Sequence, residues 1–323
     1  MDWFERITGF EERSYGETQA ALRAVDGKLR SDFSPRASGV GELETPSLAE
    51  LRQRVRHIAR KDGAEIKLSM LQGDVRRLHG QPLNSQALFQ VASQFNLLEM
   101  AAPDLTPEDG VTRYQDDRTQ GPACAIAAGA ATIYRNYLAA LPGGAGQTRE
   151  RQIDCLADMG QALGNDGGRL WEMRNGYALC SEQGLAAIDS RLAAMSQQDL
   201  DALRGLLRIG LHWDVEVTDA PAPGQQVSQA FCSALPVAYT AVAPQKWERF
   251  ATLVLEAAYE ATLLAGVLNR ERTGCPTVFL TSLGGGAFGN LPEWIEAARN
   301  RACEAAGGYE LDVRLVSFGQ PKK

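Results

Sequence analysis

Leu48, Leu51, Val55 and Ile58 recur at helical spacing behind Ser47, so "SLAELRQRVRHIARK" predicts a capped helix over 47–61. The next segment, "AEIKLSMLQGD" (64–74), alternates as a strand does and stops at Gly73-Asp74. "ALFQVASQFNLLEM" (87–100) opens as a buried strand and breaks at a polar tip. A loop with several acidic residues follows, and then "PACAIAAGAATIYRNYL" (122–138) sets Ile126, Ala130, Ile133, Tyr134 and Tyr137 on one helical face. Pro122 suits its first turn, and the small residues allow close packing on a sheet.

The middle of the chain is less regular. "GGAGQ" (143–147) reads as a flexible link and "TRERQIDCLADMGQAL" (148–163) as a helix. Asn175-Gly176 between the apolar runs of "LWEMRNGYALC" signals a hairpin turn. "SQQDLDALRGLL" opens on a Ser-x-x-Asp capping box, and "RIGLHWDVEVT" (208–218) reads as a strand. Alternation then resumes: strand from 227, helix 247–269, strand 277–283, helix 292–306, strand 311–319. Strands alternating with helices of that length imply βαβ units. The expected fold is a three-layer α/β/α domain over 63–319 with a mixed, largely parallel sheet. Residues 1–62, with a short edge strand at "GVGELE", read as an N-terminal extension, and 141–227 as a mixed α/β insertion.

Composition removes several classes. A net charge of −7 argues against a nucleic-acid groove, and the basic run 51–61 reads as a solvated helix face. No segment approaches the apolar run of a membrane span, and the N-terminus lacks the pattern of a signal peptide, so a cytoplasmic protein is expected. The six cysteines (Cys124, Cys155, Cys180, Cys232, Cys275, Cys303) show no CxxC pair and read as reduced core residues. His57, His79 and His212 are too far apart along the chain for a histidine-built metal site, "HWD" at 212–214 reads as structural, and no cofactor is expected. Oligomeric state leaves no mark.

The chemistry gathers elsewhere. "LTSLGGGAFGNLPEW" (280–294) gives up side chains where a strand hands over to a helix. Glycine there permits a cradle of backbone N–H groups for an anion, aided by the helix N-terminus. A tight αβ connection is the plainer use. In open α/β sheets, ligands sit outside the carboxyl ends of the strands. That edge would collect Asp74 after one strand, Gln94, Asn96 and Glu99 after the next, and Gly284, Gly285, Gly286, Phe288 and Asn290 after a third. The loop 101–122 returns to the same edge. A phosphate cradle, an aromatic, an amide and carboxylates suit a ligand with phosphates, rings and ribose hydroxyls.

In this order the residues resemble the macrodomain, a family that binds ADP-ribose. "LFQVASQFN" is similar to the microbial poly(ADP-ribose) glycohydrolase branch, whose strand ends in Ala-Ser-x-x-Asn, and "YQDD" (114–117) stands where that branch carries Gln-Glu-Glu. The resemblance covers roughly 65–138 and 228–319. It implies that Asp74, followed by Val75, accepts a hydrogen bond from the adenine amino group. Asn96, in the pattern begun by Ser93, would hold the distal ribose. Gly284, Gly285, Gly286 and Ala287 would wrap the pyrophosphate, and Phe288 would pack beside the distal ribose, with Gly289 and Asn290 completing the loop. Asp117 would be the acid of a glycohydrolase, with Asp116 or Glu99 as its neighbour. The chain departs from the pattern: "LLEM" replaces the first glycine run, both acids are one methylene shorter, and Gly121 stands where the mono-ADP-ribosyl hydrolases carry an Asp. The partner implied is ADP-ribose or an ADP-ribosylated macromolecule. Hydrolysis at the distal ribose, a binding module that cleaves nothing, and a structural protein whose glycine loop is only a turn all stay open. Each residue also has a plain reading: Asp74 as a turn, Asn96 as a strand-end cap, Asp116-Asp117-Arg118 as a solvated cluster.

Overall fold

The computed structural model describes residues 1–63, 65–221 and 223–318. Seven strands form the central sheet: β1 (Glu42–Glu44), β2 (Lys67–Gln72), β3 (Leu88–Ala92), β4 (Gly210–Glu216), β5 (Gln226–Cys232), β6 (Thr277–Leu280) and β7 (Asp312–Ser317). Their spatial order is β1-β4-β5-β3-β6-β7-β2. The five from β5 to β2 run parallel, with Ala92 beside Cys232 and Leu280 beside Leu315. β4 is antiparallel to both its neighbours.

Strand side chains alternate between faces, and their partners identify the layers. Gln90 donates to Thr262 Oγ1 at 2.9 Å and Cys232 lies 3.3 Å from the same hydroxyl, so this face meets the long helix Glu248–Thr273. Phe89 stacks on His79, and Gln229 donates to Cys124 O at 2.9 Å, so the other face meets helices Val75–His79 and Gln120–Ala127. The architecture is the expected three-layer α/β/α, and Asn175-Gly176 turns the expected hairpin, Trp171–Arg174 with Tyr177–Cys180. All six cysteines are free; Cys124, Cys155, Cys180 and Cys232 are buried, while Cys275 and Cys303 are half-buried.

Several expectations need correction. The strands expected over 64–74 and 311–319 are observed as β2 and β7; Ala64, where the first reading starts, and Gly319, where the second reading and the 63–319 domain end, lie outside the described residues. The helix expected over 122–138 is two helices, Gln120–Ala127 and Gly129–Tyr137, broken at Ala128. The amide of Gly129 turns instead to Thr218 Oγ1, 3.0 Å away. Within 148–163 only Ala157–Leu163 is helical. The segment read as a flexible link ends in Gln147, which is buried and donates to Asn96 O and Arg135 O. The insertion is not external to the sheet, because it supplies β4, and 1–62 supplies β1 and the capped helix Leu48–Val55. Finally, the long helix is apolar enough to cross a membrane by composition, but 83% of its most apolar window is buried inside the fold. It is a core helix.

That helix carries one buried acid. Glu260 accepts from Arg52 Nε at 2.6 Å and from Arg301 at 2.7 Å, which ties it to helices Leu48–Val55 and Pro292–Ala305. Burial would raise its pKa, but the two arginines outweigh burial and hold it below the ordinary value of 4.5. A depressed carboxyl stabilises the fold fully above that value and loses its contribution as pH falls through its folded pKa. Replacement Glu260→Ala should therefore cost about 2 kcal/mol at neutral pH, since it removes the charged hydrogen bonds from Arg52 and Arg301 and leaves both with Asp201. In urea melts the gap to wild type should close below pH 4.5; a gap that stays constant with pH would mean the ion pairs are not its source.

Candidate active site

At the carboxyl ends of β3, β5 and β6 the sheet opens into a cavity of about 350 Å³. β3 lies between strands reached in opposite directions along the sheet, the usual position for a ligand crevice. Three strand ends and one returning loop build it. Ala92, Ser93 and Gln94 follow β3, Ala234 and Tyr239 follow β5, Thr281 to Gly284 follow β6, and Asp117 to Pro122 close the remaining side.

Glu99 is its most buried acid, 4% exposed, and its Oε1 has no hydrogen-bond partner. Its own backbone is firmly held: the amide donates to Tyr114 OH at 3.0 Å, and next to it Met100 N donates to Gln94 Oε1 at 2.8 Å. Gly121 makes room for the carboxyl, since a Cβ there would stand 2.1 Å from Glu99 Oε2. Burial raises the pKa of Glu99 well above the ordinary carboxyl value; Arg135 opposes the rise and Asp117 adds to it. Arg135 is itself buried, donating to Leu97 O at 3.2 Å and Thr132 Oγ1 at 3.0 Å over the ring of Phe231. Burial pushes it down to about 10, which leaves it cationic at neutral pH. Its third contact is His212 Nδ1 at 3.3 Å, which must accept because a guanidinium only donates.

The same cavity holds an aromatic cluster. Tyr177, Tyr239 and Phe288 meet with ring centroids 5.1–5.5 Å apart. Tyr177 comes from the hairpin of the middle segment, whose turn sits against the tip of β3 with Phe95 N bonded to Gly176 O. The glycine loop forms the rim. Gly284 adopts φ 72°, and a Cβ there would collide with Ala234 at 2.4 Å. Among the described residues, the amides of Gly286, Ala287 and Phe288 have no hydrogen-bond partner. The loop leads into helix Pro292–Ala305, whose cap residue offers no side-chain bond. An anion seated here would meet the free N–H groups of the loop. Arg118 is the cation among the described lining residues.

Of the residues singled out from sequence, Ser93, Glu99, Asp117, Gly284, Gly286, Ala287 and Phe288 line this cavity together. Others do not, and each for a visible reason. Asp74 spends its carboxylate on capping helix Val75–His79, accepting from Arg76 N at 2.9 Å, and Val75 is in the core. Asn96 is fully buried, held by Gln152 and by Leu98 N, so it has nothing to offer a ribose. Asp116 is exposed on the 3₁₀ turn Thr112–Asp116 outside the cavity. Gly285 backs onto Ile295, Gly289 onto Ala238, and Asn290 braces the loop by donating to Leu235 O. The sequence reading missed Tyr177, Tyr239, Thr281, Gln120 and Phe318. The strand-end rule applied to β5 as well would have found Tyr239.

No protein-family model matches the chain, and no curated protein matches it. Among solved structures, it is similar to poly(ADP-ribose) glycohydrolase from Thermomonospora curvata, at 12% identity over 94% of this chain and 91% of that one, with a TM-score of 0.45. The same protein bound to the inhibitor ADP-HPD aligns at 13% identity over 94% and 91%, with a TM-score of 0.43. The glycohydrolase from Deinococcus radiodurans in complex with ADP-ribose aligns at 13% identity over 87% and 88%, with a TM-score of 0.41. At this identity and overlap the likeness is one of chain path.

The rim separates two glycines experimentally. A Cβ on Gly286 meets nothing within 4 Å, whereas one on Gly285 meets Ile295 at 3.0 Å. Gly286→Glu should therefore leave the melting temperature nearly unchanged and abolish anion binding, while Gly285→Glu should lower stability first. Calorimetry with ADP-ribose, ADP and ribose 5-phosphate, paired with thermal melts, reads both. Undiminished affinity in Gly286→Glu would remove the loop from the binding site.

Proposed function

We propose that this chain binds ADP-ribose in the cavity and hydrolyses ADP-ribosyl linkages at the distal ribose, in the manner of a macrodomain glycohydrolase. The observation that carries the reading is a buried carboxyl, Glu99, with an unbonded Oε1, in the lining of the same cavity as the glycine loop and the aromatic cluster at the sheet's crevice. The parts divide the ligand. Amides of the 284–288 loop and Arg118 suit a diphosphate, and the rings of Phe288, Tyr239 and Tyr177 give a ribose an apolar wall.

Cleavage of an N- or O-glycosidic bond passes through an oxocarbenium-like state and needs a proton on the leaving atom. A carboxyl held protonated at neutral pH is suited to give it. Burial raises the pKa of Glu99 toward that role, so the acid role assigned to Asp117 from sequence moves to Glu99. Asp117, half-buried on the cavity wall, takes the second place. Its carboxylate can orient the attacking water and face the positive charge that develops on the sugar. The proton then returns to Glu99 as water adds, which closes the cycle.

The second reading, binding without cleavage, draws on the departures from the glycohydrolase pattern, and the same variants separate the two. Glu99→Gln keeps the shape and loses the proton. It should hold ADP-ribose affinity within a few fold and lower turnover of poly(ADP-ribose) or mono-ADP-ribosylated protein by ~10²–10⁴-fold. Asp117→Asn should cost less. Because Glu99 acts in its protonated form, turnover should be full below its raised pKa and fall as pH rises through it. Binding of ADP-ribose with no turnover by wild type on either substrate would establish the module that only binds.

A further inference from the structure

We propose that the N-terminal segment braces this site from behind its lining and that Glu12 is its positioning residue, holding the loop that carries Asp117 and supports Glu99. This inference rests on the reading of the cavity given above. The residues on either side of Glu99 belong to a separate hydrophobic core. Leu98 and Met100 are fully buried there with Trp3, Phe4, Ile7, Phe10, Val111 and Tyr114. Since its two neighbours are anchored in that core, Glu99 is turned the other way, to the cavity. Four side chains of that core, Trp3, Phe4, Ile7 and Phe10, come from residues 1–10.

The loop is tied by name as well as by packing. One oxygen of Glu12 accepts from Val111 N at 2.8 Å and Tyr137 OH at 2.7 Å, and the other from Thr112 N at 2.8 Å. Trp3 Nε1 donates to Thr112 O at 3.2 Å, so both backbone groups of Thr112 are held by the N-terminal segment. Two residues later Tyr114 OH takes the Glu99 amide, and the turn it closes delivers Asp117 to the cavity. Gly110 fits this clamp. Its φ is 81°, and a Cβ there would lie 2.5 Å from Glu12 Oε2. Likewise Gly129, just past the helix break, leaves the space that Ile7 and Trp3 fill, at 2.5 and 2.9 Å from where its Cβ would be. A carboxylate with three donors, two backbone groups of one loop and a glycine cut to fit it form a device for fixing that loop. They do so beside an acid that must stay dry.

Glu12→Gln tests it in the full chain, because an amide must aim its NH₂ at one of the three donors. Gly110→Ala tests it with Glu12 intact. Amide hydrogen exchange should speed up at least about tenfold at Val111, Thr112 and Tyr114 in both variants, with β3 and β6 unchanged. On an ADP-ribosyl substrate, kcat should fall about tenfold or more with KM within threefold, since misplacement by ~1 Å costs up to about 10²-fold. Exchange that is unchanged in the loop, or faster in the sheet to the same degree, overturns the clamp; so does an unaltered kcat. If wild type cleaves nothing, the glycohydrolase reading fails, and the exchange pattern alone decides the clamp for a binding site.

Discussion

Glu99 lies where two hydrophobic cores meet. On one side the core of the main sheet includes Phe95 and Leu97; on the other Leu98 and Met100 enter the core built with Trp3, Phe4 and Phe10. A carboxyl between them has lost the water that would hold its charge, and the desolvation penalty favours the neutral form. Much of the surrounding construction follows from tolerating that group. Gly121 yields space to it, Tyr114 takes its amide, Gln94 pairs with both backbone groups of Met100, and Arg135 places a cation behind it without a direct ion pair among the described residues. Remove the dryness and the carboxyl becomes an ordinary anion.

Arg135 shows how far the arrangement reaches. A buried guanidinium is costly unless its donors are used, and this one spends them on a carbonyl, a hydroxyl and an imidazole. His212, pushed well below its ordinary value by burial and then by Arg135, stays neutral and can accept. The histidine read from sequence as structural thus has a definite task, supplying a lone pair to a cation that cannot reach water. Its strand, β4, comes from the segment that sequence placed in an insertion.

Local rules made much of this readable. The Asn175-Gly176 turn, the Ser47 capping box and the glycine loop each depend on residues close in sequence, and each formed where its chemistry demanded. The cavity's edge followed from the strand-end rule. What could not be read were partners chosen by folding. Asp74 and Asn96 had the right residue type after the right strand, yet a nearby helix start claimed one and a side chain 56 residues away claimed the other. Tyr177 reaches the site because a hairpin tip docks on β3, and nothing in its own neighbourhood announces that. The choice of acid depended on burial, which a charge cluster such as Asp116-Asp117 does not reveal. Exposure separated Glu99 from both.

The order of the strands also governs how the molecule can assemble. β7 is the last of the seven along the chain, yet it lies between β6 and β2, and its register with β2 joins residues 67–72 to 312–317. Until β7 arrives, β2 has no strand to pair with, and Leu68 and Met70 stay exposed even in the finished sheet. Contacts of such separation close slowly, because a long loop must be ordered before any pairing repays it. During synthesis the nascent chain must therefore carry β2 as an unpaired strand, with Leu68 and Met70 exposed on it, through most of its elongation. That makes this strand the place where premature association between chains begins.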